Sequence, residues 1–277
     1  MSTLKEPKVS IVMPVLNEEK YINKCIESVL KQDYPKDDLE FILVDGYSED
    51  NTEQIIRSYM KKYDFIRLCK NINKTVQYAL NIGIKASRGE YIVRMDAHAE
   101  YADDYVSRCI EYLEKTDAVN VGGPMVARGK NLIQNVVAAA YHSKFALGGG
   151  KFHIEGFEGY ADTVFLGAFK KDYLFKIGLY DERLPRSEDD DLNFRINESG
   201  GKVYITPKIR CIYYPRDNYI SLFKQHYEYG LWKVAVIKKH KRPARISHLV
   251  PMLFVLFILV FSILSFVSKL ALYTFLS

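Results

Sequence analysis

The first half of the chain alternates short apolar runs with amphipathic segments. Val9–Val15 (VSIVMPV) is typical of a strand buried on both faces, and residues 19–32 carry apolar positions at helical spacing after Asn17, a candidate N-cap. The same alternation predicts further strands at 41–44, 66–69 and 91–95 and further helices at 52–62 and 75–86. Such a βα repeat predicts an α/β fold with a mainly parallel sheet flanked by helices.

Polar side chains follow three of these predicted strands. They stand in residues 14–18 (PVLNE), 45–48 (DGYS) and 96–98 (DAH). Open α/β sheets bind ligands outside the carboxyl ends of their strands, so these segments form the candidate site. No G-x-G-x-x-G follows the first strand, and residues 148–151 (GGGK) lack P-loop spacing, which disfavours dinucleotide oxidoreductases and P-loop NTPases.

Asp96 and His98 stand two residues apart after the strand at 91–95. If the chain stays extended there, both side chains leave on the same side and converge on one ion. A carboxylate and an imidazole suit Mn²⁺ or Mg²⁺ bridging a diphosphate. An aspartate that caps a turn is the alternative interpretation of Asp96.

Four adjacent acids, residues 188–191 (EDDD), precede an apolar-periodic helix. They could cap this helix by complementing its dipole. Like-charge repulsion also raises the pKa of neighbouring carboxyls, so one of them could act as a general base. The two roles can coexist.

The pattern of the C-terminal part predicts attachment to a membrane. Residues 246–268 contain no Lys, Arg, Asp or Glu, and a helix of this length spans roughly 35 Å, which predicts a transmembrane helix. A buried core helix is the alternative. The segment 219–245 is amphipathic and basic, with Trp232 placed for the headgroup level, and 269–277 reads as the start of a second membrane segment.

Charge is uneven along the 277 residues. The net charge is +5, but residues 233–248 hold six basic residues and no acid, which leaves 33 basic against 34 acidic residues elsewhere. A near-neutral globular part argues against nucleic-acid binding. The basic cluster predicts that the N-terminal domain stays cytoplasmic, and four widely spaced cysteines fit a reducing compartment.

Three segments together resemble glycosyltransferase family 2, the inverting, nucleotide-sugar-dependent enzymes of the GT-A fold. They are residues 9–18 (VSIVMPVLNE), 43–50 (LVDGYSED) and 81–96 (NIGIKASRGEYIVRMD). The D-A-H at 96–98 and segments 148–150, 162–169 and 229–233 further resemble the succinoglycan-type membrane-associated glucosyltransferases. The resemblance covers roughly the first 235 residues.

The resemblance implies roles for individual residues. The nucleotide-sugar-binding residues would be Pro14, Leu16, Glu18, Asp45 and Asp96, with Asp45 accepting hydrogen bonds from uracil. Asp96 and His98 would hold Mn²⁺ or Mg²⁺, and Asp189 would be the catalytic base beside Glu188, with Asp190 as the adjacent alternative. Gln225 and Trp232 would lie on the acceptor and membrane side. Two positions depart from the family pattern: His98 replaces an Asp, and Leu16 replaces an aromatic residue.

The resemblance implies a hexosyltransferase that moves one sugar from a nucleotide sugar, a UDP-sugar, to a polyprenyl-diphosphate-linked saccharide in cell-surface polysaccharide synthesis. Residues 1–218 would form the catalytic domain, on the cytoplasmic side of the cell membrane. The Q-x-x-R-W of processive members is not matched in residues 225–232, which favours single addition. The alternatives are a sugar nucleotidyltransferase, which would need a Gly-rich basic loop after the first strand, and a membrane-tethered, non-catalytic binding protein.

Overall fold

The computed structural model describes residues 6–143, 150–244 and 249–268. The strands are β1 (Val9–Val15), β2 (Leu39–Asp45), β3 (Ile66–Lys70), β4 (Tyr91–Arg94), β5 (Glu100–Tyr101), β6 (Asn120–Gly123), β7 (Val126–Ala127), β8 (Gly159–Ala161), β9 (Phe165–Lys170), β10 (Val203–Ile205) and β11 (Cys211–Tyr213). The helices are α1 (Ile22–Leu30), α2 (Thr52–Met60), α3 (Val76–Ala86), α4 (Tyr105–Lys115), α5 (Leu132–His142), α6 (Lys171–Ile177), α7 (Glu188–Glu198), α8 (Tyr219–His240) and α9 (Val250–Leu264).

The main sheet contains both parallel and antiparallel strand pairs. Its eight strands run in the order β3-β2-β1-β4-β9-β6-β10-β8. The pairs β1–β2, β1–β4, β2–β3 and β6–β10 are parallel, whereas β9 runs antiparallel to both β4 and β6 and β8 antiparallel to β10. A smaller sheet, β5-β11-β7, accompanies it. The predicted α/β architecture is confirmed.

Both faces of the main sheet are covered, which explains the continuous apolar runs of its strands. Along β1, Ile11 and Met13 enter one core layer, whereas Val12 enters the other. The first layer contains side chains of α1 and α4, and the second contains side chains of α3 and α7. Alternate residues of β1 therefore meet different helices, and the exposed Leu16 just beyond β1 shows that the end of this strand is open to a ligand.

One predicted cap is wrong. Helix α1 begins at Ile22 with Tyr21 at its N-cap, and Asn17 instead lies in a turn with a φ of 55°. The Asn17 N–H donates to Ser48 Oγ at 2.9 Å, and its Oδ1 accepts from the Glu49 N–H at 2.8 Å. Asn17 thus ties the turn after β1 to the turn after β2, a long-range partner that outcompetes local capping.

The predicted transmembrane helix over 246–268 is not confirmed. Within the described residues the segment forms α9, which has 15 residues and rises about 22 Å, short of a hydrocarbon core of about 30 Å. Among the described residues, no helix is both long and apolar enough to cross a bilayer. Residues 246–248 and the expected second segment, 269–277, lie outside the described residues.

The chain divides into two compact units, Met1–Trp232 and Lys233–Ser277. The first contains both sheets and helices α1 to α7. All of the residues to which the sequence assigns a nucleotide, metal or catalytic role lie in it. The second contains the basic cluster and α9.

Candidate active site

The crevice of the main sheet lies between β1 and β4. The strand order runs outward from β1 to β3 and then places β4 on the other side of β1. Ligands of open α/β sheets bind at such a switch point. Glu18 follows β1 and His98 follows β4, and His98 Nδ1 lies 3.5 Å from Glu18 Oε1. The structure therefore brings two of the predicted site residues together across the crevice.

Arg94, at the end of β4, joins the remaining acidic residues. Ile92 packs in the layer that contains α7, so strand alternation sends Arg94 to the same face. The Arg94 side chain is only 7% exposed, and its Nε lies 3.4 Å from Asp96 Oδ1. Its Nη1 lies 3.4 Å from Glu188 Oε1 and also pairs with Asp189. One buried cation thus holds the carboxylates of the β4 end and of the α7 start together.

These groups form what we call the cleft, which is bordered by Glu18, Arg94, Asp96, His98, Glu188 and Asp189. Asp189 is the more open of the two α7 acids, with 39% of its side chain exposed against 8% for Glu188. An accessible carboxylate beside a buried one favours Asp189 as the group that meets a substrate.

The segment after β4 is a turn. Ala97 and His98 lie in it, and the Ala99 N–H donates to the Asp96 carbonyl at 3.4 Å. Tyr101 Oη accepts from the Asp96 N–H at 2.5 Å and donates to the Asp96 carbonyl at 3.1 Å. The extended geometry expected for Asp96 and His98 is therefore wrong, because these bonds turn the backbone at residue 96.

The environment of the cleft shifts the pKa values of Asp189 and His98. Although Asp189 is partly exposed, desolvation by the surrounding side chains raises its pKa to about 8 against the opposing charge of Arg94, and the nearby Glu188 carboxyl adds to the increase. Contact with Glu18 raises the pKa of His98, burial opposes this, and the charge of Asp96 adds to it. A carboxyl whose pKa lies near neutrality is well matched to general-base chemistry.

Asp45 ends β2 at the same edge of the sheet and is fully buried. Its carboxylate accepts from Ser48 Oγ at 2.5 Å, from the Ser48 N–H at 3.2 Å and from Lys70 Nζ at 2.7 Å. Strand β1 separates β2 from β4, so at the usual strand spacing Asp45 lies roughly 10 Å from the β4 end. Asp45, Asp96 and Asp189 therefore border one edge, although Asp45 shares no partner with the other two among the described contacts.

The two remaining residues predicted for the nucleotide lie on β1 and just after it. Pro14 pairs with Val44 in the β1–β2 ladder and is half-buried. Leu16 is 38% exposed and approaches Gly46 closely. Their roles stay predictions.

The acceptor-side residues Gln225 and Trp232 lie on α8. Gln225 Nε2 donates to Tyr213 Oη at 3.2 Å and to Tyr229 Oη at 3.0 Å, whereas Trp232 is half-buried two turns further along. Within the described contacts neither meets the cleft residues. Helix α8 nonetheless borders the cleft through Glu228, which pairs with Arg186 at 2.9 Å, two residues before Glu188.

The donor set fits a divalent cation that is shared with a substrate. Asp96 offers a carboxylate and His98 an imidazole, and both side chains are partly exposed, at 24% and 47%. In the part of the chain that the structure describes, no three His, Cys, Asp or Glu residues are grouped to hold a metal alone. Two protein ligands with phosphate oxygens completing the shell is the common arrangement for Mg²⁺ at diphosphate sites.

Arg94 and Tyr101 are site residues to which the sequence assigned no role. Arg94 carried a signal, because it is a cation inside the apolar strand YIVRM and buried cations require anionic partners. Tyr101 carried none, since its hydroxyl becomes relevant only once the chain turns after β4.

The family is decided by one comparison. The model of glycosyl transferase family 2 matches residues 10–170, which run from β1 to the end of β9 and include Asp45, Asp96 and His98. The chain belongs to this family. It is therefore a glycosyltransferase. Family membership argues against both alternatives, a sugar nucleotidyltransferase and a non-catalytic binding protein.

Curated relatives of this glycosyltransferase include two that match along most of its length. A dolichyl N-acetyl-alpha-D-glucosaminyl phosphate 3-beta-D-2,3-diacetamido-2,3-dideoxy-beta-D-glucuronosyltransferase of Methanococcus voltae is 32% identical over 241 residues, which is 83% of this chain and 74% of the relative. The succinoglycan biosynthesis protein ExoA of Rhizobium meliloti is 28% identical over 244 residues, which is 87% of this chain and 74% of the relative.

Solved structures share the GT-A fold of this glycosyltransferase. The mannosyltransferase PcManGT from Pyrobaculum calidifontis, in complex with GDP-Man and Mn²⁺, superposes with a TM-score of 0.66 at 20% identity, covering 90% of this chain and 69% of that one. S. aureus TarS, in complex with UDP, gives 0.57 at 17% identity, covering 83% and 65%. At these identities the likeness establishes the fold and no more.

Proposed function

We propose that this glycosyltransferase moves one sugar from a nucleotide sugar to a lipid-linked saccharide, with inversion at the anomeric carbon. The observation that carries the proposal is the Arg94 bridge, which holds the predicted diphosphate-side residue Asp96 and the predicted base Asp189 on one guanidinium. Fixing the two reacting partners in one cleft supplies the orientation that a single displacement needs.

Asp189 removes the proton of the acceptor hydroxyl as that oxygen attacks the anomeric carbon. Its raised pKa suits this task, and its partly exposed carboxylate lets an acceptor approach. Arg94 orients the carboxylate and is permanently charged, so it holds this geometry at any working pH. Glu188, which is nearly buried, contacts the same Arg94 nitrogen as Asp189 and helps to position the guanidinium.

Asp96 and His98 would hold Mn²⁺ or Mg²⁺. When bound, such an ion neutralises negative charge on the departing nucleoside diphosphate. Glu18 contacts His98 Nδ1 and so favours the tautomer whose Nε2 is the metal-ligating nitrogen. Asp45 and Leu16, at the edge near β2, would contact the nucleobase, and UDP is the proposed nucleotide.

The proposed acceptor is a polyprenyl-diphosphate-linked saccharide, and the proposed location is the cytoplasmic face of the cell membrane. The Methanococcus voltae relative is named for a dolichyl phosphate-linked sugar and the Rhizobium meliloti relative for succinoglycan biosynthesis. The basic residues between Lys233 and Arg242 and the exposed apolar side chains of α9 fit attachment to anionic lipid.

The test is release of nucleoside diphosphate from a panel of UDP-, GDP- and dTDP-sugars, with and without a membrane lipid extract. Wild type should turn over one UDP-sugar, and the lipid extract should accelerate it. Asp189→Asn should lower turnover by about a thousandfold while calorimetric binding of the nucleotide stays within about twofold. A total lack of turnover with every donor would contradict the proposed reaction, and loss in Asp190→Asn but not in Asp189→Asn would move the base to Asp190.

A further inference from the structure

Tyr180 places a buried hydroxyl next to the cleft. The residue lies between α6 and α7, and only 3% of it is exposed. Its side chain belongs to the core layer that contains Ile92 of β4 and Leu192 of α7. Ile92 shares a face of its strand with Arg94. Leu192 follows Glu188 by about one helical turn. The Tyr180 ring therefore lies on the side of the sheet from which Arg94 meets α7.

The backbone of Tyr180 is fixed by a side chain of α3. Asn81 Oδ1 accepts from the Tyr180 N–H at 3.0 Å, and Asn81 Nδ2 donates to the Tyr180 carbonyl at 2.9 Å. Arg195 Nη2 donates to the carbonyl of the preceding residue, Leu179, at 2.5 Å. Leu179 has a φ of 58°, and a bulky residue keeps such a conformation only where its surroundings impose it. These bonds therefore fix the point at which Tyr180 enters the core.

The Tyr180 hydroxyl is buried without a hydrogen-bond partner among the described residues. A buried Tyr hydroxyl normally has a partner, because an unpaired polar group loses its hydration without compensation. Burial raises the pKa of Tyr180, the charge of Arg94 opposes this, and the charges of Asp189 and Glu188 add to it. The hydroxyl is therefore close to the charged groups on the α7 side of the cleft.

Arg94 has unused N–H donors within the part of the chain that the structure describes. Its Nε meets Asp96, and its Nη1 meets Glu188 and Asp189. A guanidinium has five N–H donors, and none of the described bonds involves Nη2. A hydroxyl can accept one such N–H and at the same time donate to a carboxylate. Tyr180 and Arg94 thus present a matching acceptor and donor.

We propose that Tyr180 is a positioning residue of the transfer reaction, whose hydroxyl accepts from Arg94 Nη2 and so holds the guanidinium against Asp189. This inference rests on the proposed function, because Tyr180 acts through the proposed base and does not touch the substrate. The hydroxyl faces the α7 side of Arg94, whereas Asp96 is held from the Nε side. We therefore expect loss of the hydroxyl to impair proton removal and not binding of the nucleotide sugar.

The activity test uses Tyr180→Phe, which removes the hydroxyl and keeps the ring. With the nucleotide sugar that wild type turns over, kcat should fall about tenfold, whereas KM for the nucleotide sugar should stay within about twofold. In the Arg94→Met background, Tyr180→Phe should change kcat by less than about twofold, because the hydroxyl acts through Arg94. The matched control is Tyr105→Phe, which removes a fully buried hydroxyl of the other core layer that is also unpaired among the described residues, and it should keep the wild-type kcat.

Unfolding in urea, followed by circular dichroism of the full chain, measures the same contact without activity. Tyr180→Phe should lower the urea midpoint when Arg94 is present. In the Arg94→Met background the hydroxyl has no donor to meet, so Tyr180→Phe should leave the midpoint unchanged or raise it. Arg94→Lys replaces Arg94→Met if the latter does not fold, since lysine keeps the charge but lacks the fork of the guanidinium.

An equal shift of the urea midpoint in both backgrounds would overturn the inference and leave the proposed function intact. A wild-type kcat in Tyr180→Phe would overturn it as well. If wild type turned over no nucleotide sugar, the proposed function would fail and with it the catalytic role of Tyr180, whereas the unfolding measurements would still decide whether Tyr180 holds Arg94.

Discussion

A single buried guanidinium decides the electrostatics of the cleft. Arg94 faces the carboxylates of Asp96, Glu188 and Asp189, which without it would be like charges crowded into a poorly hydrated space. Its charge lowers the pKa of Asp189, while burial raises it. The ionisation of the base is therefore set by the balance of these two effects.

We expect kcat/KM to rise with pH through the ionisation of Asp189, because only the carboxylate accepts the acceptor proton. With the pKa of Asp189 raised to about 8, the increase should be centred near pH 8. Arg94→Met removes the opposing charge and should move the midpoint to higher pH. Initial rates of nucleoside diphosphate release from pH 6 to pH 10 measure it.

The matched control for this pH profile is Arg195→Met, which removes an arginine that pairs with Asp191 elsewhere on α7. Its midpoint should stay at the wild-type value. A midpoint that is unchanged or lower in Arg94→Met would show that the charge of Arg94 does not lower the pKa of Asp189.

Glu18→Gln should weaken binding of Mn²⁺ about tenfold when a nucleoside diphosphate is present, because His98 loses the carboxylate that favours its metal-ligating tautomer. The same change should lower the pKa of His98, which contact with Glu18 raises. Manganese paramagnetic resonance gives the affinity, and nuclear magnetic resonance of the imidazole gives the pKa.

Glu19→Gln is the control for Glu18→Gln, since Glu19 bonds to Asn51 at 2.7 Å and not to His98. Metal affinity in this variant should match wild type. Equal affinity in Glu18→Gln and wild type would remove Glu18 from the positioning role.

The role of a single residue could be predicted from the sequence only where its position relative to a strand indicates that role. Asp96 and His98 follow a strand, and strand ends bind ligands, so these two were predictable. The pairing of Arg94 with Asp189 was not, because 95 residues separate them and only the packing of α7 on the sheet joins them.

At the scale of elements, the early strands and helices followed from hydrophobic patterning within about two or three residues. Parallel strands are apolar on both faces, and that makes β1, β2 and β3 easy to recognise. The sequence did not predict that β9 enters antiparallel between β4 and β6, because strand order depends on long connections rather than on local pattern. It also did not predict how closely α3 packs on β1.

Gly83→Ala should destabilise the protein by about 1–2 kcal/mol, although alanine is the better helix former. Gly83 lies in α3, and a Cβ there would come 2.3 Å from Val12 Cγ1 in the fully buried part of β1. Urea unfolding followed by circular dichroism measures the change. Val12→Ala should relieve the clash, so the double variant should lose less stability than the two single losses combined.

Gly230→Ala is the control for this packing argument, because a Cβ at Gly230 meets no atom of the described residues within 4 Å and α8 continues on both sides of it. This substitution should leave stability unchanged or raise it by about 0.5–1 kcal/mol. If Gly83→Ala stabilised the protein as Gly230→Ala does, the close approach of α3 to β1 would be contradicted.

At the scale of the whole molecule, the cleft and the basic, apolar C-terminal features lie in different units. The unit Met1–Trp232 contains the cleft. The unit Lys233–Ser277 contains the basic cluster and α9, whose apolar side chains are exposed, as with Phe254 at 61% and Ile263 at 69%. Exposed apolar surface of this extent marks an interaction with lipid or protein. We therefore expect that a change in the second unit can weaken lipid binding without affecting the cleft.

Removing residues 245–277 should leave the cleft intact and abolish binding to neutral lipid. The truncated chain should melt within a few degrees of the full chain and retain hydrolysis of the nucleotide sugar, because the cleft residues all precede residue 190.

In sedimentation with vesicles, the full chain should bind neutral and anionic lipid, since apolar burial needs no charge. The truncated chain, which keeps Lys233 to Arg242, should bind only anionic vesicles, and salt should release it. Transfer to a lipid-linked acceptor should fall more than hydrolysis does, because only transfer needs the cleft at the bilayer surface. Retained sedimentation of the truncated chain with neutral vesicles would place this lipid attachment before residue 245 instead.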